Sequence, residues 1–201
     1  MHVRAPAIVC AARHHGETAV IVRLLTADFG LVAAYVAGGR GRHLRPVLIP
    51  GNTVDAEITA RTEAQLPWAR IELLGSRGPW LGEPLQSAAI GWATALAAAA
   101  LPERHAYPPL YAALHALLDA ICLAPSARGW VPALLSYETL VMRELGYGVA
   151  DPGPADTDWA SIMIAFDALG RALARYPLAD QRRDVMAARS QLGDRLARIG
   201  N

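Results

Sequence analysis

Residues 18–37 read TAVIVRLLTADFGLVAAYVA. Two runs of aliphatic and β-branched side chains, Thr18–Thr26 and Leu31–Ala37, flank Asp28-Phe29-Gly30. That is the pattern of two strands joined by a turn, with glycine where a positive φ is needed. Working outward, Ala5–Ala12 is a third apolar run, and His14-His15-Gly16 makes the turn between it and Thr18–Thr26. On the other side Thr53–Arg61 alternates, with Val54, Ala56, Ile58 and Ala60 on one face and Asp55, Glu57, Thr59 and Arg61 on the other. This is a half-buried antiparallel strand. Leu66–Leu74 supplies the fifth strand. Five short strands linked by turns predict a small barrel, with an open meander as the competing layout.

Beyond Gly78-Pro79 the apolar period lengthens to that of helices. Pro84 opens one that runs to about Leu101, uncharged from Leu85 but mostly alanine, which reads as a buried helix and not a membrane span. Pro108 and Pro109 open a second, with Tyr111, Leu114, His115, Leu118, Ile121 and Cys122 on one face and His115 read as a packed core histidine. A third spans about Pro132 to Leu145 and stops at Gly146. Thr157 caps a fourth that buries Trp159, Ile162, Met163, Phe166, Leu169 and Leu173 and ends at Pro177. A fifth, about Ala179 to Ile199, buries Val185, Met186, Leu192, Leu196 and Ile199. The expected class is α+β: a β module over residues 1–77, then an α-helical module over 78–201.

The chain has 201 residues, 53% hydrophobic and 18% charged, which excludes disorder as its overall state. All 19 of its Lys and Arg positions are arginine, and the net charge of +1 hides an asymmetry. Residues 1–54 hold six arginines against Glu17 and Asp28 alone, whereas residues 78–147 are acidic by two. An anionic partner for the first module is expected. Two cysteines, Cys10 and Cys122, are too few for a disulfide framework or a cysteine zinc site, and both read as buried thiols. No secretory leader is read, since Arg4, Arg13 and Arg23 break the first apolar run.

No nucleophile elbow, zincin motif or phosphate-binding P-loop occurs, and no catalytic residue or cofactor is expected. One constellation is positive. Arg40, Arg42, His43 and Arg45 crowd a loop that Gly38, Gly39 and Gly41 keep open. Guanidinium forks match phosphate oxygens, and barrels of this size bind single strands across one face and its flanking loops. A solvated loop carrying surface charge is the competing reading. With Arg13 and Arg23 from the first two strands, these four make the candidate DNA-binding set.

In order and spacing, several segments resemble the bacterial RecO family of recombination mediators. They are Gly16-Glu17-Thr18, Ile21–Thr26, Gly30-Leu31, Val36–Arg40, Leu48–Asn52, and Tyr137-Glu138 through Arg143–Tyr147. The resemblance covers roughly residues 3–150. It implies an OB-fold N-terminal domain joined to an α-helical domain. It further implies a cytoplasmic, non-catalytic protein that binds single- and double-stranded DNA and anneals strands coated with single-stranded-DNA-binding protein. Such a protein would also help RecR load RecA. An adaptor with a vestigial DNA-binding barrel is the alternative. The family is also expected to take the acidic, hydrophobic-ended tail of the single-stranded-DNA-binding protein in a groove of the helical domain. Here Leu114, Leu118, Ile121, Leu134 and Val141 would form the floor, with core packing the favoured use of the leucines, and Arg128, Arg182, Arg183 and Arg189 the cationic rim.

There are departures from the family pattern. Ala19 stands where an aspartate is usual, Leu31-Val32 where Lys-Leu is usual, and Gly39 and Gly41 where basic residues are usual. Asp151–Pro154 carries no cysteine where many members have a zinc motif, so no metal is expected and an abbreviated C-terminal part is inferred.

Overall fold

The computed structural model describes residues 2–62, 65–148, 158–179 and 184–199. Its first five elements are strands: β1 (His2–His15), β2 (Ala19–Thr26), β3 (Gly30–Val36), β4 (Thr53–Thr59) and β5 (Trp68–Gly75). They close into a barrel in the order β1-β2-β3-β5-β4. All neighbours are antiparallel except β3 and β5, which run parallel and meet at Tyr35 and Trp68. That order, with its one parallel seam, is the OB topology, and the meander is excluded. β1 reaches both neighbours because it is long. Its first half pairs with β4 from His2 to Ile8 and its second half with β2 from Ala7 to His15, with a bulge between Val9 and Ala11. A bulge of this kind bends a strand so that one ribbon can turn a barrel corner.

The interior follows the period of two. Val54, Ala56 and Ile58 point in beside Ala7, Val9, Val22, Leu24 and Val32, all at most 1% exposed. Each Val, Leu or Ile so buried contributes roughly 1.5–3 kcal/mol. Gly30 has φ +67°, and a Cβ there would collide with the backbone of His105. The close approach has a reason: residues 101–112 return to the barrel, and the Arg104 amide donates to the Leu31 carbonyl at 2.9 Å. One compact unit is therefore residues 1–82 with 101–112, and the other is residues 83–100 with 113–201.

The helices are α1 (Pro84–Ala100), α2 (Pro108–Leu123), α3 (Val131–Glu144), α4 (Trp159–Arg175) and α5 (Asp184–Ala197). α3 ends as expected, on Gly146 at φ +82°, with the Tyr147 amide donating back to the Met142 carbonyl. α4 is capped by Asp158, whose carboxylate accepts from the Ser161 amide at 3.3 Å; Thr157 lies outside the described residues. Trp159, Ile162, Phe166, Leu169 and Leu173 are buried along α4 as expected. Other expectations fail. Met163, Val185, Met186 and Cys122, read as buried, are half-buried. His115 is 40% exposed in its side chain and pairs with Asp119 one turn on, because the buried stripe of α2 runs through Leu110, Leu114, Leu117, Leu118 and Ile121 and leaves His115 at its flank. Ile199 follows the end of α5 and is exposed.

Candidate nucleic-acid interface

The arginine loop is built by two anchors. Asn52 is fully buried. Its amide donates to the carbonyls of Pro46 (2.9 Å) and Val47 (3.1 Å), and its side-chain oxygen accepts from the Arg77 amide at 2.8 Å. The Arg77 guanidinium in turn donates to the Gly51 carbonyl and the Thr53 hydroxyl. At the other end, the Arg40 amide donates to Thr18 and its guanidinium to the carbonyls of Glu17 (2.7 Å) and Gly16 (3.4 Å). Arg40 thus ties the loop to the β1–β2 turn. Neither anchor is a local motif: Asn52 and Arg77 are 25 residues apart, and their polar sequence neighbours conceal their burial.

The glycines of the loop have separate causes. Gly38 has φ +66°, while Gly39 is buried, and a Cβ on it would press on Val20 and Leu48 at 2.9–3.0 Å. A basic side chain at Gly39 has no room, which explains that departure from the family pattern. Arg40, Arg42, His43 and Arg45 are all exposed. Arg42 Nε donates to His43 Nε2 at 3.3 Å. The Arg45 side chain makes no hydrogen bond or ion pair with any described residue, and neither does that of Arg13 on the exposed end of β1.

The outer surface of the barrel has two characters. Over β1, β4 and β5 charges neutralise each other. Arg4 donates twice to Asp55 (2.7 and 2.8 Å), a pairing that raises its pKa, and Glu57, Arg70 and Glu72 line the same shallow recess. Over β1, β2 and β3 stand Arg13 and Arg23. Arg23 differs from the expectation of an open cation: it is half-buried and pairs with Glu103 at 3.1 Å. Cys10 lies beneath this side, 2% exposed, with burial pushing its thiol up to about 12. Among the described residues no group of three or more His, Cys, Asp or Glu side chains could hold a metal ion.

In the helical unit the expected partner-binding arginines separate. Arg128 is exposed, with its guanidinium 5.1 Å from the centre of the Trp159 ring. Arg182 and Arg183 lie outside the described residues. Arg189 is not at a rim. It is buried, grips Glu138 through Nε (3.0 Å) and Nη2 (2.8 Å), donates to the Phe166 carbonyl, and lies over the Phe166 ring at 3.7 Å. Glu138, fully buried, also accepts from Trp92 Nε1 at 2.7 Å. Of the two uses weighed for Leu114, Leu118, Ile121, Leu134 and Val141, the structure has core packing, each being 0% exposed. A groove of about 610 Å³ does open between α2 and α3, but Leu117, Tyr137 and Leu140 floor it, with Arg143 at its edge.

An OB barrel with an arginine-bearing β3–β4 loop, followed by a five-helix module, defines the class to which the comparisons then give a name. The model described as "Recombination protein O N terminal" matches residues 1–77, and that described as "Recombination protein O C terminal" matches residues 82–150. Relatives carrying the name DNA repair protein RecO include that of Caulobacter vibrioides (strain NA1000 / CB15N), 39% identical over 84% of this chain and 69% of its own. Those of Phenylobacterium zucineum and Rhodospirillum rubrum are 42% and 43% identical, each over 71% of this chain and 58% of its own. The chain belongs to the RecO family and has a role in DNA repair. Its matches span between 56% and 69% of the lengths of these and similar relatives. Among the described residues no helix is long and apolar enough to cross a membrane.

Proposed function

We propose that the chain is a non-catalytic recombination mediator of the cytoplasm. In this reading it binds single- and double-stranded DNA, anneals complementary strands coated with single-stranded-DNA-binding protein, and helps RecR load RecA. The observation that carries the reading is the exposed loop of Arg40, Arg42, His43 and Arg45, which Arg40 ties to Gly16 and Glu17 of the β1–β2 turn, just beyond Arg13. Guanidinium groups displayed on a fixed frame neutralise phosphates without reading bases, which lowers the repulsion between two approaching strands and carries no sequence preference. The acidic tail of the single-stranded-DNA-binding protein is assigned to the α2–α3 groove, where Arg143 meets its terminal carboxylate and Leu117 and Leu140 its apolar end.

The adaptor reading keeps one observation in its favour: Asp55 and Glu103 take up Arg4 and Arg23, which reduces the charge the barrel offers. Titration of labelled single strands and duplexes across a salt series separates the two. A mediator binds at low salt with a steep salt slope, and a pull-down retains RecR and the single-stranded-DNA-binding protein. No affinity for either DNA at low salt refutes the mediator and leaves the adaptor.

A further inference from the structure

The register of the barrel lines up four side chains in one row across its outer surface. Arg13 opposes Ile21, Ile21 opposes Tyr35, and Tyr35 opposes Trp68. Directly opposed residues share a face, so the row runs from a cation on β1 to an indole on β5. Trp68 is 61% exposed, although the next outward positions of its strand, Arg70 and Glu72, carry the charges expected in water. The Tyr35 ring props it at 4.5 Å between centroids with a 57° tilt, and His15 meets Tyr35 edge-on at 6.0 Å. The indole stands between two open recesses of about 650 and 690 Å³. Arg61 lines the first of these.

We propose that His15, Tyr35 and Trp68 form a stacking platform for the unpaired bases of single-stranded nucleic acid, with Arg13 fixing the backbone beside it. The proposal rests on the DNA-binding reading above and adds what that reading lacks, a contact that a duplex cannot make. Three features favour nucleic acid over a protein as the occupant. The Trp68 ring packs against Tyr35 and is otherwise exposed. The row ends in a cation that no described residue neutralises. Of the acidic side chains of β4 and β5, Asp55 and Glu72 pair with Arg4 and Glu57 with His2. Every base has a π-face, so such a platform tolerates any sequence, as strand annealing requires. It also discriminates by pairing state, since bases inside a duplex are already stacked.

The test measures binding of the full chain to oligo(dT) and to an abasic oligonucleotide of equal length, with Trp68→Ala, Trp68→Phe and Tyr35→Ala variants. Removing one ring is expected to weaken oligo(dT) binding about tenfold. Abasic binding and the salt slope should stay unchanged, and Trp68→Phe should restore most of the loss. Because Trp68 is exposed, the thermal midpoint of Trp68→Ala should match the parent. Equal affinity of the unaltered protein for both probes overturns the platform while the DNA-binding reading stands. Affinity for neither probe overturns both. A Trp68→Ala variant that binds oligo(dT) normally also overturns the proposal and gives the row to a protein partner.

Discussion

If the β3–β4 loop meets phosphates, replacing Arg40, Arg42 and Arg45 together with alanine removes three contacts, each worth about 0.7 units of the log–log salt slope on a single strand. The slope should fall by about two. Over a fourfold rise in salt, the affinity of the unaltered protein should then drop about 15-fold more than that of the variant. Arg40 also holds the β1–β2 turn through Gly16 and Glu17, so its loss has a structural component. Arg42 and Arg45 hold no other element, and the double change Arg42→Ala/Arg45→Ala should lower the slope by about 1.4 with no change in thermal midpoint. The assay is fluorescence anisotropy with labelled single strands of three unrelated sequences at four salt concentrations. The loss should be the same for all three, since phosphates carry no sequence. An unchanged slope places the phosphate contacts off this loop, and a sequence-dependent loss means that the arginines read bases; either result refutes the reasoning.

Three predictions concern the cores. Glu138→Ala should cost about 3–5 kcal/mol in chemical denaturation, because it strands the Arg189 charge inside the helical unit, whereas Glu138→Leu/Arg189→Met should recover much of that. Equal losses for single and double variants would show that packing, not charge, holds the cluster. Phe166→Ala should cost about 3–5 kcal/mol, since the ring is 3% exposed and lies against Arg189; a loss below about 1 kcal/mol would mean that the pocket collapses freely. Burial raises the Cys10 thiol from an ordinary value near 9.0 to about 12, so the folded chain holds a proton that the unfolded chain releases. The stabilisation is fully present below about pH 9 and is lost as pH rises toward 12; thermal midpoints of Cys10→Ala should therefore fall less steeply between pH 8.5 and 10.5 than those of the parent.

What was legible in the sequence is what depends on near neighbours. The strand of residues 53–59 shows its alternation directly, and glycine marks the turns at Gly30 and Gly146, both with positive φ. What depends on distant pairing was not legible. β1 continues through Arg13, His14 and His15, which are polar because that end of the strand is exposed, not because the chain turns there. The closure of the barrel rests on a seam between β3 and β5, and nothing local in either strand announces it. The candidate arginines were legible by type and not by state: Arg23, Arg42 and Arg189 read alike, yet one is half-buried against Glu103, one is exposed and one is sealed in a core. The aromatic row did leave a signal. Trp68 shares its strand parity with Arg70 and Glu72, so an indole stands where alternation calls for a polar side chain.

The small net charge of the barrel is therefore a poor guide to its affinity for an anion, because the arginines do different things. Arg4 and Arg23 face carboxylates, Arg77 is spent on the loop anchor, and Arg40 shares its guanidinium with the β1–β2 turn. Arg13, Arg42 and Arg45 pair with no carboxylate among the described residues. Three phosphate contacts alone give a single strand a hold that weakens quickly as salt rises, because the driving force is counterion release. Stacking on Trp68 and Tyr35 releases no counterions and is nearly insensitive to salt. A protein that joins the two holds single strands at physiological salt while gripping the backbone lightly. When two complementary bases pair, the stacking contribution vanishes and the arginines remain. On the proposed annealing reading, a strand gives up its stacking contacts with the barrel as it pairs, and the duplex is held through its phosphates alone.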